Sequence, residues 1–143
     1  MGFIRGRAAD GPTPPITGAD AGRPGGPSAV IDAAAIERLR ELDPGGQQGV
    51  LQRVLHAYQV SLGRHLDEMA AALPARDSDR MARSAHTLKS SSAAIGALDF
   101  SQRCADLEHC VRTGHGLPPE SELQALFDEG RRVLTAVEAM LAP

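Results

Sequence analysis

The 143-residue chain has no tryptophan, one tyrosine and three phenylalanines. With so few aromatics, its core must be filled by Leu, Val, Ile, Met and Ala, the usual filling of helix-on-helix packing. Two cysteines are too few for a disulfide framework in a chain of this length, and they read as thiols of a reducing compartment. A formal net charge of -3 leaves no basic footprint for nucleic acid. Apolar runs fall far short of the roughly 20 residues of a membrane span. The N-terminal Met1-Gly2-Phe3-Ile4-Arg5-Gly6-Arg7 has no apolar stretch behind its arginines, so no secretory signal is expected either. These absences give the expectation of a cytoplasmic protein without membrane insertion. No glycine-rich nucleotide loop is present, so ATP binding and autonomous kinase activity are not expected. Lysine is nearly missing too: Lys89 is the sole lysine, and every other basic residue is arginine apart from five histidines.

What is present divides in two. Residues 1–28 hold seven Gly and five Pro without apolar periodicity. Such a stretch buries too little surface to offset its ordering entropy and reads as a flexible tail or linker. Residues 29–143 form the expected domain, in which every apolar pattern has a helical period. Asp32 is placed to cap a short first helix with Ile36, Leu39 and Leu42 inward, and Asp43-Pro44-Gly45-Gly46 breaks it. Leu51, Leu55, Tyr58, Leu62, Leu66, Met69 and Leu73 then form one stripe that Pro74 ends. A third helix starts at Asp77 or Ser78 and stops near Gly96. A fourth is expected to be capped by Asp99, with Phe100, Cys104, Leu107 and Val111 as its seam. After a loop over 114–119, the last runs from about Glu120 to Leu141. It buries Leu123, Phe127 or Leu126, Gly130, Val133 or Leu134, Val137 and Met140 or Leu141. The fold class is all-α, an antiparallel four-helix bundle with a short additional N-terminal helix.

The stretch Ala85-His86-Thr87-Leu88-Lys89-Ser90-Ser91-Ser92, followed by Ile95-Gly96-Ala97, carries the chemistry. At about 100° per residue, Ala85, Leu88, Ser92 and Ile95 lie within about 40° of Met81 and define a buried face. His86 falls about 140° from Met81 and Ser90 about 180°, both outside that arc, while Lys89 at about 80° stands at its boundary. Ala82, Ser90 and Ala93 make the flank of His86 bare. A protruding imidazole beside a single ammonium, in small company, suits a phosphoryl group that arrives and leaves on a partner. Read one at a time, these residues are an ordinary solvated histidine and a surface lysine; their coincidence is what points to a site.

On these residues the sequence resembles the histidine-containing phosphotransfer (HPt) domain of bacterial phosphorelays. The resemblance covers roughly residues 31–141, including Ile36-Glu37-Arg38-Leu39-Arg40-Glu41-Leu42-Asp43-Pro44 and Cys104-Ala105-Asp106-Leu107-Glu108. It implies a phosphoacceptor at His86, charge neutralisation by Lys89, and a small residue at position 90, where many relatives have Gly and this chain has Ser90. Glu108 matches a position whose side chain holds the imidazole; an ordinary exposed glutamate is the other reading. The implied partners are receiver domains of a hybrid sensor kinase and a response regulator. These would bring an acidic cluster and Mg²⁺, while this chain binds no cofactor or metal and acts as a monomer. The alternative function is a module that docks receivers or kinases without being phosphorylated, and a further rival is a domain that hastens receiver dephosphorylation. Cys104, His109, Cys110 and His115 have zinc-ligand chemistry, but on the helix Cys104, His109 and Cys110 diverge and no four converge without refolding, so no metal site is expected. His56 and His65 read as solvated histidines.

Overall fold

Residues 30–142 are described by the structure, a computed structural model. The linker expected over residues 1–28 lies outside them. The described residues form five α-helices: α1 (Ala33–Glu41), α2 (Val50–Ala72), α3 (Ser78–Ala94), α4 (Leu98–Arg112) and α5 (Glu120–Leu141). A 3-10 turn, Pro44–Gly46, follows α1. Helices α2 to α5 close a ring, since α2 packs on α3 and α5, and α4 packs on α3 and α5; α1 lies against α2. Short connections between ring neighbours produce the up-and-down bundle that the apolar periods predict.

The stripe of α2 is buried at Leu55, Tyr58, Leu62, Leu66 and Met69, with Leu51 and Leu73 half-buried. Phe100, Cys104 and Leu107 of α4 and Leu123, Leu126, Phe127, Val133 and Val137 of α5 complete the core. Gly130 lets α5 approach closely, because a β-carbon there would stand 2.8 Å from Leu66 Cδ2 and 3.0 Å from Phe100 Cε1.

Local sequence explains the boundaries. Asp32 caps α1 by accepting from the Ala34 amide, and Asp77 caps α3 by accepting from the Arg80 amide. Gly96 has φ +89°, and its carbonyl accepts from the Asp32 amide at 2.8 Å, tying the end of α3 to the start of α1. Three details depart from the sequence reading. Helix α4 begins at Leu98 after Ala97, with no side-chain cap, and Asp99 sits in its first turn, where an acid favours the helix dipole. Leu42 is 69% exposed, because α1 ends at Glu41 and the helical phase is lost. Val111 is only half-buried, while of the Met140 or Leu141 pair it is Leu141 that packs against the core.

The breaker after α1 also has an unforeseen function. Asp43 is buried, and its carboxylate accepts from the backbone amides of Gln48 and Val50. It thereby caps α2, whose own N-cap residue, Gly49, has no side chain to do so.

Candidate functional site

Helix α3 is held from both sides. Toward α2, Tyr58 Oη shares a 2.7 Å hydrogen bond with Ser92 Oγ inside the core, and His65 Nδ1 shares one of 3.1 Å with Ser84 Oγ. Toward α4, its most extensive neighbour, Ser101 Oγ donates to the Lys89 carbonyl at 2.7 Å. With Met81, Ala85 and Leu88 fully buried, the rotation of α3 is fixed and His86 must face out. Its side chain is 61% exposed.

The expected site residues meet across the α3–α4 seam. Glu108, on α4, is only 12% exposed. Its Oε2 lies 2.7 Å from His86 Nδ1, and its Oε1 accepts from Lys89 Nζ at 2.6 Å. The Lys89 hydrogen bond holds the Glu108 carboxyl below the usual carboxylate range against the opposing effect of burial, and the His86 contact adds to the depression. An ionised carboxylate only accepts, so Nδ1 carries the proton and donates. The lone pair of the neutral ring is then on Nε2, which has no hydrogen-bond partner among the described residues. Arg112, one turn along α4, places Nε 3.5 Å from Glu108 Oε2.

Ser90 is exposed on the His86 flank, as is Ala93. Ala82 is not part of that flank: it is 2% exposed and belongs to the core. His65 is likewise no freely solvated histidine, being half-buried against Ser84. Cys104 lies in the core, its thiol pushed up to about 12 by burial, and Cys110 is half-buried. His115 Nδ1 shares a 2.8 Å hydrogen bond with Thr113 Oγ1. Among the described residues no three His, Cys, Asp or Glu side chains group as metal ligands.

Sequence reasoning missed Arg112 and Ser101. Arg112 had one available signal, its i,i+4 spacing from Glu108; Ser101 had none, since its partner is a backbone carbonyl of another helix.

The geometry thus sets an exposed imidazole with Lys89 and Arg112 nearby, all gathered on Glu108. Residues 53–142 match the Hpt domain family. The chain belongs to that family. Its role is histidine phosphotransfer in two-component phosphorelays. Two solved structures share the Hpt fold. Histidine-containing phosphotransfer protein B of Pseudomonas aeruginosa aligns at a TM-score of 0.64 and 22% identity, covering 80% of this chain and 92% of that one. The HPT domain of a sensor hybrid histidine kinase from Shewanella aligns at 0.66 and 20% identity, covering 79% and 94%. At such identities the likeness concerns the fold alone. A comparison with curated protein sequences gives no match. Among the described residues no helix is long and apolar enough to cross a membrane.

Proposed function

We propose that His86 is the phosphoacceptor of this Hpt domain and that it exchanges phosphoryl groups with receiver aspartates. The observation that carries the assignment is the 2.7 Å contact between His86 Nδ1 and Glu108, which leaves Nε2 of an exposed ring as the nucleophilic atom. In the forward step the Nε2 lone pair attacks phosphorus in line. The bond to the aspartyl oxygen breaks, its electron pair returns to that carboxylate, and the Nδ1 proton stays on the ring against Glu108. A loose transition state of this kind needs alignment and charge neutralisation more than covalent machinery.

Each neighbour then has a role. Glu108 orients the ring and stabilises the positive charge it gains. Lys89 neutralises phosphoryl oxygens, its half-exposed ammonium having three donors and only one committed to Glu108. Ser90 is small enough for the partner's active site to close over the imidazole, and its hydroxyl is a donor that glycine lacks. The receiver contributes the acidic cluster and Mg²⁺, and this chain works as a cytoplasmic monomer.

The test is incubation with phosphorylated receiver domains, comparing wild type with His86→Gln. Acid-labile label accumulates on wild type, and His86→Gln takes up none while still binding the receivers. Label persisting on His86→Gln would move the acceptor elsewhere. Release of inorganic phosphate with none on the wild-type chain would make this a dephosphorylating domain instead.

A further inference from the structure

Glu108 is shared among the His86 ring and two cations, Lys89 and Arg112, and Arg112 has no part in the reaction as derived so far. Lys89 is bonded to Glu108 Oε1, and Glu108 sits on the Nδ1 side of the ring, whereas the phosphoryl group joins at Nε2. As Lys89 directs its uncommitted donors at the phosphoryl oxygens, it divides its charge between them and Glu108. The carboxylate is 12% exposed, so water replaces only part of what it loses. The formal charges sharpen the difficulty. Glu108 and Lys89 cancel, and a phosphoryl dianion on a cationic ring leaves a net negative charge at the seam. Arg112 is the group within reach that cancels it: its Nε is 3.5 Å from Glu108 Oε2, its side chain is 57% exposed, and among the described residues Glu108 is its sole ion-pair partner.

We propose that Arg112 is a positioning residue for phosphotransfer, holding Glu108 ionised and in register with His86 Nδ1 while Lys89 turns to the phosphoryl group. It touches neither the ring nor the phosphoryl and acts through Glu108. The inference rests on His86 being the acceptor, and it adds a residue that neither the motif nor the family resemblance assigns. The i,i+4 placement matters, since the guanidinium can keep its contact from the same helix whatever α3 and the partner do.

The experiment uses phosphoramidate as a small phosphodonor, so that loss of a docking contact cannot imitate loss of positioning. The rate of phosphohistidine formation is measured for wild type, Arg112→Gln, Arg112→Lys, Glu108→Gln and the Glu108→Gln/Arg112→Gln pair. Arg112→Gln is expected to slow formation about three- to fivefold, the size an exposed ion pair supports. Arg112→Lys should recover most of that rate, and Arg112→Gln should add nothing once Glu108 is Gln. A wild-type rate in Arg112→Gln, or an equal loss with and without Glu108, overturns the role of Arg112 while leaving His86 as acceptor. No phosphohistidine on wild type, from phosphoramidate or from receivers, overturns the reading beneath it.

Discussion

Replacing Glu108 by Gln keeps shape and volume but removes the charge. The amide has one acceptor end and one donor end, while the two groups that Glu108 holds, Nδ1–H of His86 and the Lys89 ammonium, are both donors. One of them must lose its partner. The ring acquires positive charge as Nε2 bonds to phosphorus, at about 4 Å between charge centres from the carboxylate; that separation is worth about 1 kcal/mol in water and about 4 kcal/mol at an effective dielectric of 20. His86 is 61% exposed, so the lower half of that range applies. A barrier raised by about 1–2 kcal/mol slows phosphorylation roughly five- to thirtyfold. Quenched time courses with phosphorylated receiver or phosphoramidate, counting acid-labile phosphate on the chain, measure it. Circular dichroism and thermal unfolding accompany them, with a stability change below about 1 kcal/mol expected for a surface-facing pair. A Glu108→Gln protein that is folded and accepts phosphoryl within twofold of wild type refutes the orienting role.

Three further outcomes concern the frame around the site. Gly96→Ala places a methyl at φ +89°, 2.8 Å from Ala35 Cβ and 2.9 Å from the backbone N and O of Asp32, none of which can swing aside; urea unfolding should show a loss of roughly 2–4 kcal/mol, and a loss under about 1 kcal/mol would refute the clash. Tyr58→Phe leaves the Ser92 hydroxyl buried without its partner and should cost roughly 1–3 kcal/mol, whereas adding Ser92→Ala should cost less than the two single changes together; strict additivity would show the bond to be idle. Burial, helped by Arg64, holds His65 below the ordinary histidine range, so the unfolded chain binds a proton before the folded one does. Its contribution to stability is therefore present above about pH 6.5 and lost as pH falls below it. Urea midpoints across that window should drop more steeply with acid in wild type than in His65→Gln, and equal slopes would remove the linkage.

Periodicity in one dimension made most of the helical frame legible. The α2 stripe, the caps at Asp32 and Asp77 and the stop at Gly96 are local, since each is decided by residues within a turn or two of one another. Where the reading slipped, a contact from elsewhere decided. Leu42 continues the α1 pattern on paper, but the chain has already turned into the Pro44–Gly46 segment. The α4 boundary moves ahead of Asp99 because the Ala97 amide closes onto the Ser92 carbonyl while its own carbonyl accepts from the Ser101 amide. Asp43 looked like part of a breaker and is a cap, acting five and seven residues downstream. The outward face of His86 followed from its own helix. Its partner Glu108 came from the family resemblance and not from periodicity, because the 22 positions separating them span a helix end and a turn, and their meeting depends on how α4 is rotated against α3.

That rotation is where fold and chemistry join. Phe100, Cys104 and Leu107 are spaced to bury one side of α4, and this sets the azimuth of Glu108, the next residue, along the α3 seam. On α3, Met81, Ala85 and Leu88 do the same for His86 and Lys89. The two core stripes thus bring three charged or ionisable side chains to one line. The exposure of His86 suits the proposed task. If His86 is the acceptor proposed above, an enclosed site would shut out the partner aspartate that has to reach Nε2, whereas a helical ridge with the exposed Ser90 and Ala93 beside the ring leaves room for a concave active site to descend over it. What precision the ridge needs comes from the seam: Ser101 on α4 holds the α3 backbone at Lys89, His65 and Tyr58 on α2 hold its Ser84 and Ser92 hydroxyls, and Glu108 holds the ring. A nucleophile held in this way on an open surface can serve a donor and an acceptor of the same chemistry in turn, which is what passing a phosphoryl group along a relay requires.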